Sequence, residues 1–479
     1  DIDAIREFRD RFNIPIPDDQ LESLPYFKPA DDSPEMVYLH ERRKALGGYL
    51  PKRREKADEH LPAPELSAFK AVTDPTSEGR EISTTQAFVR ILNQILRNKT
   101  LGPRVVPILV DESRTFGMEG LFRQIGIYSP EGQKYTPVDK DQVMYYRESE
   151  TGQLLQEGIN EAGGFSSWIA AATSYSSNNR IMIPFYIYYS MFGFQRVGDL
   201  AWAAGDMQAR GFLLGGTAGR TTLNGEGLQH GDGHSHILSS VIPNCVSYDP
   251  TFAHELAVII QNGLERMIQN QENVFYYITV MNENYPQPGL REGDEEGIIR
   301  GGYIFKSTDK GEHRVQLMGS GTILREVLAA QDLLLEDWGI GSDVWSVTSF
   351  TELRRDGLDC ERHALLHPED SNPPKPYITK QLEGTEGPIV VSTDYMKAYG
   401  DQIRPFIPEG RRLHVLGADG FGRSDFRSKL RSHFEIDRYF VVLASLRALA
   451  DEGRISRDVC IKAIEKYGID QNKANPHHA

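Results

Sequence analysis

Three histidines crowd one short stretch of this 479-residue chain: GLQHGDGHSHILSS, residues 227–240, sets His230, His234 and His236 around Gly231-Asp232-Gly233. Imidazoles so close could hold zinc, and a Gly-Asp-Gly could open a diphosphate-and-magnesium signature built on hard oxygen ligands. That signature needs an apolar strand before it and an Asn ligand on a loop well downstream. Here the preceding TTLNGEGLQH is polar and glycine-rich. The Asn at the right distance, Asn262, falls in a helix expected to be capped by Asp249, with Pro250 at its first position and Phe252, Leu256, Ile259 and Ile260 on one face. The tripeptide therefore reads as a coincidence. The His-x3-His-x-His spacing puts no three rings on one face of a helix or strand, and no Cys lies near. Hydrogen-bonded structure is the expectation, and no metal ligand is assigned.

Further candidates are sparse. GGTAGRTT, from Gly215, resembles a phosphate loop, but its glycines are one residue too close and Arg220 stands where Lys is needed; a backbone held in tight turns is expected. Glu161, in QEGINEAGG, opens the Ala-rich segment WIAAATSY and is either a helix cap or a perturbed acid. Asp111-Glu112 directly follow the apolar run VVPILV, and strand ends are where α/β proteins put their sites.

The elements that must position these groups alternate. STTQAFVRILNQILRN begins with cap residues and places Phe88, Ile91, Leu92 and Ile95 at helical spacing. VVPILV, IMIPFYIYY (181–189) and VFYYITVMN (274–282) read as buried strands with helical segments between them, which predicts a mainly parallel α/β sheet. After the charged NENYPQPGLREGDEEG, a second block carries VQLMGSGTILREVLAAQDLLLEDWG as strand, glycine turn and helix. VWSVTSF, PIVVSTDYM and LHVLGADGFGRSD follow as further strands. The expected organisation is a proline-punctuated segment over 1–70 that wraps a larger body, an α/β domain over 71–300 and a smaller α/β domain over 301–479.

Composition narrows the class. A net charge of −15 argues against nucleic-acid binding, which needs clustered Lys and Arg. No run approaches the roughly 18 apolar residues that span a bilayer, so no membrane partner is expected. Cys245, Cys360 and Cys460 are far apart and form no redox or zinc pattern, which suits a reducing compartment such as the cytoplasm. The opening DIDAIREFRDRFNIPIPDDQ reads like the middle of a polypeptide, so a fragment is expected.

DESRTFGMEGLFRQIGIYSP (111–130), LQEGINEAGG, PFYIYYSMFGFQRVGDLAWAAGD, GRTTLNGEGLQH and DGFGRSD together resemble one family. It comprises the homodimeric decarboxylating components of bacterial pyruvate dehydrogenase complexes, thiamine diphosphate enzymes of the transketolase type. The likeness runs almost end to end. It implies the pyrimidine-binding and C-terminal α/β domains of that family, with most of the N-terminal diphosphate- and magnesium-binding domain outside the chain. It implies that Glu161 hydrogen-bonds the aminopyrimidine and exchanges its proton, that Ile159 bends the cofactor, and that Phe192 stacks on the ring with Tyr189 nearby. Asp111 and Glu112 would line the reaction centre, and His230 would meet pyruvate-derived oxygen. GQKYTPVDKDQVMYYRE (132–148) would be a mobile loop closing over the site. A second family loop near the chain's start can carry a histidine for reductive acetylation, where this chain has Glu7. The implied cofactors are thiamine diphosphate and magnesium; the implied partners are a second copy of the chain, pyruvate, and the lipoyl domains and acyltransferase core of the complex. A noncatalytic dimerising half of the same family and a histidine-cluster metal hydrolase are the alternatives.

Overall fold

IPFYIYY is apolar on both faces, as a strand must be when helices cover both sides of a parallel sheet. The computed structural model, which describes residues 1–48, 53–111, 113–138 and 146–479, makes it the third strand of a six-stranded sheet. In chain order the strands are β1 (Val105–Leu109), β2 (Ile127–Tyr128), β3 (Glu148–Ser149), β4 (Leu155–Gln156), β5 (Ile183–Tyr189), β6 (Phe212–Gly216), β7 (Cys245–Tyr248) and β8 (Phe275–Thr279). The sheet runs β4-β1-β5-β6-β8-β7, every pair parallel, while β2 and β3 form a separate parallel pair. A second sheet holds β9 (Tyr303–Ser307), β10 (His313–Gly319), β11 (Ile340–Ser346), β12 (Ile389–Ser392) and β13 (Leu413–Leu416). Its order is β13-β12-β10-β11-β9, parallel except for the antiparallel edge strand β9. The α/β class expected from the alternating pattern is the class observed.

The chain divides into two compact units, Asp1–Glu55 and Lys56–Ala479. The first carries helices α1 (Ile2–Arg11), capped by Asp1, and α2 (Pro34–Ala45), capped by Ser33. Leu21 is the buried hydrophobic residue among its described residues, so it has little core of its own. Glu7 lies exposed on α1, in a helix rather than a loop. The second unit holds both sheets. Its first residues are stitched down by side chains: Gln271 accepts from the Ala57 N–H at 2.7 Å and donates to its carbonyl at 3.1 Å, and Arg104 forks onto Glu59 at 2.9 and 2.8 Å.

The helices that matter for the site are α3 (Thr84–Arg97), α4 (Glu161–Ala172), α5 (Phe194–Asp206), α6 (Ala253–Leu264), α7 (Leu324–Trp338), α8 (Phe350–Leu366), α9 (Arg427–His433) and α10 (Arg438–Asp451). Ser83 caps α3 as expected, and Phe88, Ile91, Leu92 and Ile95 are all buried. Around the first sheet, Phe185 stacks on Phe212 at 4.6 Å and the Trp168 indole donates to the Phe212 carbonyl at 3.1 Å.

Two boundaries differ from the sequence reading. Asp249 does not cap α6. The helix starts at Ala253, and Glu255 Oε2 accepts from the N–H groups of Thr251 and Phe252, because Asp249 is drawn inward by the hydroxyls of Thr279 and Ser320. VWSVTSF is strand only to Ser346; Ser349 caps α8, accepting from the Glu352 N–H at 3.0 Å, so Phe350 opens a helix. Asn262 lies in α6, as expected, and accepts from the Tyr276 hydroxyl.

Candidate active site

The chain leaves β1, passes outward to β4, then returns across β1 to β5. Such a reversal opens a crevice at the carboxyl ends of the strands, where α/β sheets bind ligands. The side chains that follow these three strands meet there. Asp111 comes just after β1, Tyr189 ends β5, Phe192 stands in the turn beyond it, and Glu161 begins α4 after β4.

Glu161 owes its place to two local features. Asn160 caps α4, its side chain accepting from the Gly163 N–H at 3.0 Å. The helix then approaches the sheet at Gly164, where a Cβ would meet Val110 Cγ1 at 2.8 Å and Tyr186 Cε2 at 2.9 Å. The Glu161 residue is 9% exposed, and the Tyr186 hydroxyl donates to its carbonyl at 3.3 Å. Its Oε1 accepts from Arg196 Nη1 at 2.7 Å. The same guanidinium lies 4.1 Å over the Phe192 ring.

The cluster continues through rings. Phe192 and Tyr189 are 6.0 Å apart, and the His230 ring is 5.2 Å from each. The Tyr189 hydroxyl donates to Asp111 Oδ2 at 2.5 Å, and its ring touches Phe116. Burial, then the bond to Asp111, push this phenol up to about 12, so it remains a donor. His230 Nδ1 lies 3.2 Å from the Gly227 carbonyl and 4.0 Å from Glu226, which leaves Nε2 free of protein partners among the described residues.

Of the residues singled out in the sequence, Asp111, Glu161, Tyr189, Phe192 and His230 therefore share one site. Ile159 stands beside it but is 80% exposed. Glu112 lies outside the described residues, as does 139–145 of the expected loop. At the loop's base, Tyr135 and Tyr146 both donate to Glu148 Oε1, at 2.9 and 3.1 Å. The residue the sequence reading missed is Arg196, which bridges Glu161 and Phe192. Its one sequence signal is its place four residues after Phe192, at the start of the helix that follows.

The three histidines part company. His234 Nε2 pairs with Gln195 at 2.8 Å. His236 is buried against Thr279 at 2.9 Å and stacks on Tyr399, and burial holds its ring down at about 3, hence neutral. Asp232, the centre of the Gly-Asp-Gly, accepts from the N–H groups of His234 and Ser235, just before the short helix Ser235–Ser240. A Cβ at Gly233 would run into the Arg220 guanidinium, which explains that glycine. Arg220 itself spans to the loop after β13, donating to the carbonyls of Gly231 at 3.3 Å and Ala418 at 2.6 Å. The expected tight turns of GGTAGRTT are present, with Thr217 and Gly219 at positive φ. Among the described residues, no group of three or more His, Cys, Asp or Glu is arranged to hold a metal ion.

Comparison with known proteins bears on family and fold. The family described as pyruvate dehydrogenase E1 component middle domain matches residues 61–288, and the transketolase-like C-terminal domain matches 301–437. The chain is 62% identical to the pyruvate dehydrogenase E1 component of Cupriavidus necator over 99% of its own length and 53% of that protein. The chain belongs to the pyruvate dehydrogenase E1 family. It is 58% identical to the Escherichia coli K12 member over its whole length and 53% of that protein. It thus spans about half the length of the curated relatives it matches. The transketolase of Campylobacter jejuni shares the fold, with a TM-score of 0.55 at 16% identity over 79% of this chain and 49% of that one. No helix among the described residues is long and apolar enough to cross a membrane.

Proposed function

We infer that this chain supplies the aminopyrimidine- and substrate-facing side of a thiamine diphosphate site. The site decarboxylates pyruvate and passes the acetyl unit to a lipoyl group on the acyltransferase core of a cytoplasmic pyruvate dehydrogenase complex. The observation that carries this reading is the pairing of a buried carboxylate, Glu161, with an aromatic face, Phe192, through one planar group. Arg196 lies over the ring, 4.1 Å from its centre, and donates an N–H to the carboxylate. An aminopyrimidine asks for the same two contacts, so the residues present fit that ring.

When bound, the thiazolium of thiamine diphosphate supplies a stabilised carbanion and serves as the electron sink for decarboxylation. The chain's own residues do the rest. Glu161 holds or releases a proton at the pyrimidine ring; its position at a capped helix start fixes where that proton goes. Phe192 offers apolar stacking that does not compete for the ring's polar edges. His230, between Tyr189 and Phe192 with Nε2 available, hydrogen-bonds or protonates pyruvate-derived oxygen. Asp111 is held by Tyr189 and lines the same crevice. The magnesium and diphosphate ligands fall to the half of the relatives not matched by this chain. Ile159 and Phe421, each 80% exposed, and Leu228, 54% exposed, leave apolar surface around the site that a second copy of the chain would cover, which supports a homodimer with shared sites.

Equilibrium dialysis of labelled thiamine diphosphate with magnesium tests the binding half of this reading. Together with the N-terminal portion of a relative, the chain is expected to retain one equivalent per site. Phe192→Ala should weaken retention about tenfold, the scale of a lost stacking face. Unchanged retention in that variant would remove Phe192, and with it the ring pocket, from the site.

A further inference from the structure

A second cluster of ionisable side chains lies away from these residues, where the segment after β8 meets the helices of the second sheet. A cavity of about 570 Å³ opens there, lined by Arg325, Arg427, Arg431 and Arg438 together with Glu283 and Glu326. Its volume is within the range of small-molecule sites. Arg325 and Glu326 sit in the first turn of α7, Arg427 and Arg431 on α9, and Arg438 at the start of α10. Three helices and Glu283, in the segment after β8, therefore bring charge to one space.

The charge does not cancel within the lining. Glu283 is shared by Arg325 at 2.5 Å, Arg427 at 3.6 Å and Arg431, while Glu326 is shared by Arg431 at 3.5 Å and Arg438 at 2.9 Å. Four guanidinium groups divide two carboxylates. Two further acids stand near, Asp394, which accepts from the Thr221 N–H and the Thr221 and Thr222 hydroxyls, and Asp437, which accepts from the N–H groups of Tyr439 and Phe440; their charges act on these arginines from a distance, without a direct ion pair among the described residues. Burial pushes Arg427 down, opposed by Glu283 and aided by the like charges of Arg431 and Arg325. One donor is also left over. Arg431 is 4% exposed, yet its Nε has no hydrogen-bond partner among the described residues. A buried unsatisfied N–H is costly, and an oxygen arriving in the cavity would satisfy it.

Apart from Ser428, the remaining wall is mostly apolar: Phe252, Tyr285, Pro286, Leu328 and Ala329. We propose that this cavity is a binding site for a doubly charged oxyanion of the phosphate class carried on a small apolar body, its oxygens held by the four arginines. Guanidinium forks match phosphate geometry. Because the ligands come from the segment after the first sheet and from three helices of the second, an occupied site braces the two sheets against each other.

Calorimetric titration and thermal unfolding of the full chain with inorganic pyrophosphate test this, with sodium chloride at matched ionic strength as control. Saturable binding of one equivalent and a raised melting temperature, absent with chloride, are expected. Arg325→Met and Arg427→Met, both partly exposed positions that should fold, are each expected to weaken binding about tenfold, while Arg362→Met on the exposed face of α8 leaves it unchanged. No saturable binding, an equal effect of chloride, or undiminished binding in the two variants would overturn the proposal.

Discussion

Asp249 has a carboxyl shut away from water, with three hydroxyls turned toward it: Thr279 at 2.6 Å, Ser320 at 2.8 Å and Tyr395 at 3.3 Å. Burial, with the nearby charge of Asp394, pushes it up to about 7 although those hydroxyls pull it down. A carboxyl raised in the folded state binds its proton more tightly there than in the unfolded chain. Its stabilising contribution is therefore complete below about 4, the unfolded value, and is lost as pH rises through about 7. His236 works the other way, because its depressed folded value makes stability fall as pH drops from about 6.5 toward 3. Asp249→Asn should remove the first slope and keep the second. Urea-unfolding midpoints across this range are expected to show the variant gaining on the parent as pH rises, and parallel profiles would contradict this. The local signals at this scale were partly legible: Glu161 was recognisable as the start of a helix. Arg196 was not, because its ion pair joins residues thirty-five apart through the packing of α4 against α5. Asp249 was misread as a cap because its hydroxyl partners, thirty to 146 residues away, are invisible to local pattern.

At the scale of elements, the close approach of α4 to the sheet decides where Glu161 sits. Gly164 allows that approach, since any Cβ there would press on Val110 and Tyr186. Gly164→Val should cost about 2–3 kcal/mol, the usual penalty for overpacking a core, and should displace the carboxylate. Chemical denaturation checks the first effect; a loss below about 0.5 kcal/mol would mean that the helix has room to move. The seven-residue strand β5 and the amphipathic α3 were legible because each carries enough residues for a period to emerge, and the shorter β8 because it lies within the continuous apolar run VFYYITVMN. β6, β7 and β9 were not. They are four or five residues long, β6 ends in two glycines, and β9 has a mostly solvent-facing edge. The boundary of β11 was misplaced because TSF continues the β-favouring pattern while Ser349, as cap, ends it.

For the whole molecule, the central claim is that the first α/β sheet presents one side of a cofactor site which the half of the relatives not matched by this chain would complete. The wide spacing of the motifs along the chain made the family legible, while the site's internal contacts required the fold. The most direct measurement is pyruvate-dependent reduction of an artificial electron acceptor, with thiamine diphosphate and magnesium present. The assay compares this chain alone, the N-terminal portion of a relative alone, and the two mixed. Turnover only in the mixture, abolished by Glu161→Gln while the mixture still assembles, is the expected result. Turnover from this chain alone, or near-normal turnover with Glu161→Gln, would contradict it.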